Sequence, residues 1–279
     1  MKTVETIVAA YCSDFPVQIN ALVELIEENR SGKDLQSLVR TLKADLHRMG
    51  GAAHCLGFRQ VGKQINDIEQ DLIALGLTDN RSIRKGLAPL SSKISSLRYF
   101  DRILKPETSK LLQKVSGHTL EECTEDPDSR EIARQESAKR MMSKERLLIA
   151  EDDPYVREMM TTTLLEMGAE SVMQAASGYE VLNTLDTYQP TFLITDWEME
   201  PVSGLEILRC IRRGTTNLAK DTPVIFFTSH NDRESSILAN RNGVNRLVGK
   251  PVLPEALRDA VLQVVEKRFH LRSRNLSAA

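Results

Sequence analysis

RLLIAED at residues 146–152 is one of four segments that decide the fold of the C-terminal half of the chain; the others are TFLITD at 191–196, PVIFFT at 223–228 and RLVGK at 246–250. Each segment is a short apolar run that predicts a buried strand, and a further strand is predicted near residues 171–174. A stretch with helical periodicity follows each strand. Such alternation predicts a parallel sheet covered by helices on both faces. We therefore expect a doubly wound, five-stranded α/β domain.

Polar residues close or follow the predicted strands. They are Glu151, Asp152, Asp196, Thr228 and Lys250. In a doubly wound sheet, ligands bind beyond the carboxyl ends of the strands, near the point where the strand order reverses. We therefore expect these side chains to converge. Their carboxylates, hydroxyl and ammonium group suit a hard divalent cation, a phosphoryl group and its counter-charge.

Length and composition limit the class of protein. A chain of 279 residues has room for about two domains. Its net charge of -2 argues against a general binder of nucleic acid or membrane surfaces. The four cysteines are scattered without metal-like spacing, which is typical of thiols in a reducing compartment. No stretch approaches the roughly 18 apolar residues of a membrane span, and the N-terminus lacks a signal-peptide pattern. We expect a cytoplasmic protein.

Residues 1–104 show helical periodicity throughout. Apolar residues recur every three or four positions, which indicates amphipathic helices. Short polar breaks near residues 30–33 and 76–80 suit antiparallel neighbours, with Gly57 as a helix stop and Asn80 as a capping candidate. We therefore predict an all-α four-helix bundle. The clearest apolar stripe comprises Leu35, Leu38, Leu42, Leu46, Met49, Ala53 and Leu56.

A polar segment separates the two predicted domains. Residues 105–145 contain the acidic stretch EECTEDPD and are predicted to form a linker. The second half of the linker is rich in strong helix formers, so that a helical spacer and a coil both fit its composition. The α/β domain then spans residues 146–270, and we expect residues 271–279 to be a disordered tail.

Four motifs of the C-terminal half fall in the order and at the spacing of a known family; they are LLIAEDDP, FLITDWEMEPVSGLE, PVIFFTSH and VGKP. In these motifs the segment resembles the receiver domain of bacterial response regulators, whose fold is flavodoxin-like. The resemblance covers nearly the whole C-terminal half. It implies that Asp196 accepts a phosphoryl group and that Lys250 pairs with this acceptor. It also implies that Thr228 hydrogen-bonds the phosphoryl group. The implied Mg²⁺ ligands are Glu151, Asp152, Asp196 and the backbone of Glu198.

Some positions depart from the family pattern. Glu151 stands where the family usually has Asp, and its extra methylene changes the reach of the carboxylate. Leu247 stands where an aromatic switch residue often lies, which leaves coupling through Thr228 and the next helix as the route of signalling. Glu198 and His230 flank the pocket at positions that often tune the lifetime of the acyl phosphate in this family.

A second motif lies in the predicted bundle. LHRMGGAAHCLGF, residues 46–58, resembles the histidine phosphotransfer motif HxLKGxxxxLG, which four-helix bundles carry. The resemblance implies that His47 is phosphorylated on an exposed imidazole. The adjacent glycines that follow it would leave room for a phosphoryl group and a partner. Gly50 replaces the usual lysine of the family, which leaves Lys43 or Arg48 as the nearby cation. The alternative is a core-edge histidine whose glycines only allow close helix packing.

Together, the two resemblances predict a phosphorelay protein of two-component signal transduction. The predicted reaction is Mg²⁺-dependent phosphoryl transfer between Asp196 and a phosphohistidine, on His47 or on a partner kinase. The chain has no ATP-binding glycine-rich motif, so we expect no ATP-dependent kinase activity. Phosphorylation would change the contacts of the face around the receiver's fourth helix, fifth strand and fifth helix. Expected partners are a sensor histidine kinase or other phosphorelay proteins, a downstream protein target and a second copy of the receiver, but neither nucleic acid nor membrane.

Two alternatives from other classes stay open. In one, the chain is a non-relay signalling adaptor whose bundle only docks partners and whose receiver alone senses phosphorylation. In the other, it is a small phosphatase with Asp196 as nucleophile and Glu198, two residues later, as proton donor. The sequence also leaves open the direction of transfer, the cognate kinase, the oligomeric state and whether the two domains react within one chain.

Overall fold

The chain contains two compact units, one within residues 2–120 and the other within residues 121–279. No helix in the described part of the chain is both long and apolar enough to cross a bilayer. The residues that the computed structural model describes are 3–32, 34–114, 136, 138–228 and 233–276.

The described residues of the N-terminal unit contain four long helices, as predicted from the sequence. Thr3, Asp34 and Asp79 begin helices by accepting backbone N–H groups with their side chains. Asp79, rather than Asn80, caps the fourth helix, because its carboxylate reaches the N–H of Ser82. The helices are α1 Val4–Asn29, α2 Leu35–Cys55, α3 Arg59–Gly76 and α4 Asn80–Ser96. Their shared core includes the buried residues Phe15, Ile19, Leu42, Leu46, Ile65, Leu72, Leu87 and Ile94.

The bundle continues beyond residue 104, where we expected the linker to begin. Two 3-10 helices follow α4, η1 Leu97–Arg102 and η2 Pro106–Thr108, and residues 110–114 are helical. The buried Ser109 hydroxyl donates to the carbonyl oxygen of Leu56 at 2.7 Å. Gly57 has a φ of +88°, and a Cβ at this position would lie 2.5 Å from the Leu111 nitrogen. Glycine is therefore required where this segment crosses the end of α2.

The remainder of the predicted linker is described only in part. Residues 115–135 lie outside the described residues, so both proposed conformations of that stretch stay predictions. Residues 138–142 are helical, and Met142 is fully buried.

The C-terminal unit is the predicted doubly wound sheet. All described strand pairs are parallel, and the strand order is β2-β1-β3-β4-β5. The order reverses between β1 and β3, so their carboxyl ends flank the switch point. The strands are β1 Arg146–Ala150, β2 Ser171–Ala175, β3 Phe192–Asp196, β4 Val224–Thr228 and β5 Arg246–Gly249. The helices are α5 Pro154–Glu166, α6 Gly178–Tyr188, α7 Gly204–Arg213, α8 Arg233–Arg241 and α9 Pro254–Leu276.

Helix α9 corrects the expectation of a disordered tail from residue 271, because the helix continues to Leu276. No Pro or Gly interrupts the sequence after Pro254, so the chain has no helix breaker there. Arg268 helps to hold this helix on the sheet. Its Nη1 donates to the carbonyl oxygen of Thr191 at 3.0 Å and to Oε2 of Glu145 at 3.3 Å.

Candidate functional site

The structure brings the predicted polar residues to one edge of the sheet. Glu151 follows β1, Asp196 closes β3, Thr228 closes β4, and Lys250 follows β5. The register aligns these ends, because Ala150 pairs with the residue before Asp196 and Thr228 pairs with the residue before Lys250. Glu151 and Asp196 are only 2% and 4% exposed, and Thr228 is fully buried.

Lys250 lies between the two buried carboxylates. Its Nζ is 2.6 Å from Oδ2 of Asp196 and 3.0 Å from Oε2 of Glu151. Its side chain is only 11% exposed, so water screens these ion pairs weakly. The backbone N–H of Lys250 donates to the carbonyl oxygen of Thr228 at 2.7 Å, which fixes the start of the lysine relative to β4. The lysine therefore supplies positive charge directly beside Asp196.

Burial disfavours the ionised form of the acidic groups. Desolvation raises the pKa of Glu151 to about 8, although the nearby Lys250 ammonium acts in the opposite direction. The pKa of Asp196 is also raised by desolvation, again opposed by Lys250. Asp153 is buried and caps α5, and desolvation raises its pKa to about 6. Each ionised carboxylate here needs a nearby cation, which favours the binding of positive charge.

The donor set fits a hard divalent cation. Glu151, Asp152 and Asp196 each offer a carboxylate oxygen, and these oxygens lie within 4.8 Å of one another. Oε2 of Glu151 is buried and makes no hydrogen bond with the described residues, although Lys250 Nζ is close to it. Carboxylate oxygens are the ligands that Mg²⁺ prefers. The backbone N–H of Glu198 donates to Asp196 Oδ1 at 3.2 Å, while the role of its carbonyl as a ligand stays a prediction.

Thr228 lies at the end of β4, where the predicted signalling route begins. Residues 229–232 lie outside the described residues, and this includes His230, which we expected to flank the pocket. Helix α8 is described from Arg233 onward. The hydrogen bond from Thr228 to a phosphoryl group is therefore still a prediction.

Three residues of the site region were missed in the sequence analysis. Arg157 on α5 donates to the backbone carbonyls of Glu151 and Asp152. Asp153 accepts the N–H groups of Tyr155 and Val156 as the cap of α5, a role that an Asp followed by Pro at a helix start could have indicated. Trp197 packs edge-on against Phe226, with ring centroids 5.3 Å apart. Because it is the only tryptophan of the chain, tryptophan fluorescence comes from the residue directly after Asp196.

In the bundle, His47 on α2 contacts an acidic residue of α3. Its Nδ1 is 3.1 Å from Oε1 of Glu69. The His47 side chain is 31% exposed, whereas that of Glu69 is 7% exposed. Arg48, one candidate for the missing cation, forms an ion pair with Asp45. The imidazole is thus partly exposed and is held by a buried carboxylate.

The two glycines after His47 have different surroundings. A Cβ on Gly50 would lie 2.4 Å from Oδ1 of Asn66 on α3, so this glycine permits close packing of α2 on α3. A Cβ on Gly51 would meet nothing within 4 Å. Gly51 is one helical turn after His47, and the space beside it is open. Close packing of the helices thus accounts for Gly50. Gly51, in contrast, has no side chain that would cover the surface near the imidazole.

Comparison with known proteins identifies one of the two units. Residues 147–262 match a family model described as the response regulator receiver domain. The chain is 34% identical over 121 residues to chemotaxis protein CheY1 of Helicobacter pylori strain J99, a match that covers 43% of this chain and 95% of that protein. It is 29% identical over 122 residues to chemotaxis protein CheY of Pseudomonas aeruginosa, covering 44% of this chain and 97% of the relative.

Solved structures also align with part of the chain. A Francisella response regulator 1452 receiver domain aligns with a TM-score of 0.41 at 23% identity, over 45% of this chain and 99% of that one. Chemotaxis response regulator CheY4 of Vibrio cholerae aligns with a TM-score of 0.40 at 26% identity, over 43% of this chain and 98% of the other. The family match leaves out the helical bundle, so the phosphotransfer role of His47 stays a prediction.

Proposed function

We propose that Asp196 accepts a phosphoryl group from a phosphohistidine in a two-component system, because the chain belongs to the response regulator receiver family. Receiver domains act with histidine kinases or phosphotransfer proteins, so the donor belongs to one of these classes. The observation that carries the proposal is the buried Asp196 carboxylate, which lies 2.6 Å from the Lys250 ammonium and beside two further acidic side chains.

The chemistry follows from this arrangement. A carboxylate oxygen of Asp196 attacks phosphorus in line, so that a P–O bond forms while the P–N bond of the donor breaks. The electron pair of that bond returns to the donor imidazole, which takes a proton from solvent. Lys250 favours the ionised form of Asp196 beforehand and afterwards pairs with a phosphoryl oxygen. We propose that Glu151, Asp152 and Asp196 hold Mg²⁺, which when bound would neutralise charge on the phosphoryl oxygens.

Phosphorylation would be read out through protein contacts. We propose that Thr228 hydrogen-bonds the new phosphoryl group, and that this contact shifts α8 and changes the face formed by α8, β5 and α9. Leu247 on β5 supplies no aromatic ring for this change. A downstream protein or a second receiver would bind the altered face.

The receiver proposal is tested with the full chain and a small-molecule phosphodonor. Wild-type protein should incorporate label only when Mg²⁺ is present, and Asp196→Asn should incorporate none. Asp259→Asn is a suitable control, because Asp259 is an exposed acid on α9. Equal labelling of the wild type and Asp196→Asn would refute Asp196 as the acceptor.

For the bundle we propose that His47 exchanges a phosphoryl group with a receiver. The contact with Glu69 supports this function, because a carboxylate that accepts Nδ1–H leaves the nucleophilic lone pair on Nε2. The open space beside Gly51 gives a donor or acceptor access to the ring. The test is transfer of label from a phosphorylated receiver to the chain. His47→Gln should abolish the acid-labile label, whereas His54→Gln, one control on the same helix, should retain it.

The non-relay adaptor is the second candidate for the bundle. The packing of Gly50 against Asn66 favours it, because close helix contact accounts for that glycine without any phosphoryl chemistry. An adaptor predicts that His47→Gln leaves both the phosphate flow and partner binding unchanged. A relay predicts loss of phosphate flow with partner binding retained.

A further inference from the structure

Arg157 connects α5 to the loop that carries two of the acidic residues. Its Nη1 donates to the backbone carbonyl oxygen of Glu151 and, at 3.2 Å, to that of Asp152. Both carbonyls lie just beyond the end of β1, where the ladder with the neighbouring strands stops. One guanidinium nitrogen therefore holds two consecutive peptide groups.

The guanidinium is itself held in place from its other side. Nε of Arg157 donates to Oε1 of Gln174 on β2 at 3.3 Å. The amide of Gln174 in turn donates to Oε2 of Glu158 at 3.2 Å. Because Glu158 follows Arg157 on α5, this chain of contacts joins α5, β2 and the end of β1. A planar guanidinium with several donors suits such a junction better than a lysine ammonium does.

We infer that Arg157 is a positioning residue for the cation site, fixing the directions in which the Glu151 and Asp152 carboxylates leave the backbone. The inference rests on the proposed Mg²⁺ site. Mg²⁺ tolerates little departure from octahedral geometry, so the freedom of its ligands determines its affinity. Groups that orient metal ligands from behind typically change affinity by about 10-fold to 100-fold when removed.

Charge and position predict opposite effects of removing Arg157. Its positive charge repels a cation, so charge alone predicts tighter Mg²⁺ binding after Arg157→Met. Loss of the two carbonyl contacts frees the loop and predicts weaker binding. The charge is partly exposed and screened, while both contacts are made directly to the ligand-bearing residues. The loss of the two carbonyl contacts therefore has a larger effect on Mg²⁺ affinity than the loss of the positive charge. We expect Arg157→Met to bind Mg²⁺ about 10-fold more weakly than the wild type.

The experiment is calorimetric titration of the full chain with Mg²⁺ alone. Arg157→Lys keeps the charge but loses the fork of donors, so it should also weaken binding, and it serves as the second variant should Arg157→Met fold poorly. Arg212→Met is the matched control. Arg212 likewise donates to backbone carbonyls, those of Lys220, Thr222 and Gly243, which lie away from the acidic residues. This control should lose stability and keep the Mg²⁺ affinity of the wild type.

Unchanged or tighter Mg²⁺ binding by both Arg157 variants would overturn the role of Arg157 and leave the cation site intact. The same holds if Arg212→Met weakens binding as much, because general destabilisation would then account for the effect. Absence of Mg²⁺ binding by the wild type would instead refute the proposed site itself. These outcomes separate the inference from the function on which it rests.

Discussion

Replacing Lys250 with Met tests the central ion pairs of the receiver most severely. Met keeps most of the unbranched apolar stem and removes the charge, so the change isolates the ammonium. Lys250 Nζ lies 2.6 Å from Asp196 and 3.0 Å from Glu151, both almost fully buried. Breaking a buried pair by removing one partner costs about 3–5 kcal/mol, because a carboxylate is left without a counter-charge. For a domain of this size the melting temperature should fall by about 10–20 °C.

The loss of stability should depend on pH. Near pH 5 Glu151 is protonated, because its pKa is raised to about 8 by burial, and a neutral carboxyl group needs no counter-charge. Near pH 8 it is increasingly ionised. Lys250→Met should therefore cost more stability at about pH 8 than at about pH 5 in the absence of metal. Saturating Mg²⁺ should restore part of the loss at the higher pH, because the cation replaces the missing positive charge.

Fluorescence of Trp197 provides the assay. The chain holds a single tryptophan, which packs against Phe226 in the receiver, so urea unfolding followed by its emission reports on this unit alone. Arg258→Met is the matched control, because the ion pair of Arg258 with Glu166 is exposed at 46% and 43% and should contribute less than about 1 kcal/mol. A loss for Lys250→Met no larger than that of the control, or equal at both pH values, would refute this account of the site.

Three further outcomes follow from the structure. Glu151→Gln should become increasingly stable relative to the metal-free wild type as pH rises from about 4.5 to about 8. The pKa of Glu151 is raised in the folded wild type, so the wild type loses stability through that range, whereas the Gln variant has no such group to ionise. Urea unfolding at several pH values measures the difference. Gly51→Ala should stabilise the bundle by about 1 kcal/mol, because its Cβ would meet nothing within 4 Å. Gly50→Ala should give a smaller gain in stability or a loss, because its Cβ would lie 2.4 Å from Oδ1 of Asn66. Thermal denaturation followed by circular dichroism distinguishes the two variants. Arg268→Ala should destabilise the receiver by about 1–3 kcal/mol and leave Mg²⁺ affinity unchanged, because it leaves the buried Glu145 and the Thr191 carbonyl without that donor.

The architecture of the receiver could be predicted because one rule covers the polar residues of its candidate site. Side chains that follow parallel strands meet at one edge, so the positions of Glu151, Asp196, Thr228 and Lys250 along the chain already implied their proximity. The helical stripes of the bundle were equally readable, because the 3.6-residue period is a property of the local sequence.

Other contacts could not be predicted from local patterns. Glu69 reaches His47 from a different helix, 22 residues away, and Arg157 reaches the backbone carbonyls of the acidic loop only through its side-chain conformation. Gly50 follows the same logic, since its partner Asn66 is set by how α2 packs on α3. Such contacts depend on tertiary packing, which the spacing of residues in one element does not contain.

One measurement tests the central claim most directly. The full chain is treated with a small-molecule phosphodonor, with and without Mg²⁺, then reduced with borohydride, which converts an aspartyl phosphate to homoserine, and the peptides are mapped by mass spectrometry. The proposed chemistry predicts homoserine at residue 196 in the sample with Mg²⁺ and unmodified Asp196 in the sample without it. Modification of a different acidic residue, or equal modification of Asp196 in both samples, would contradict it.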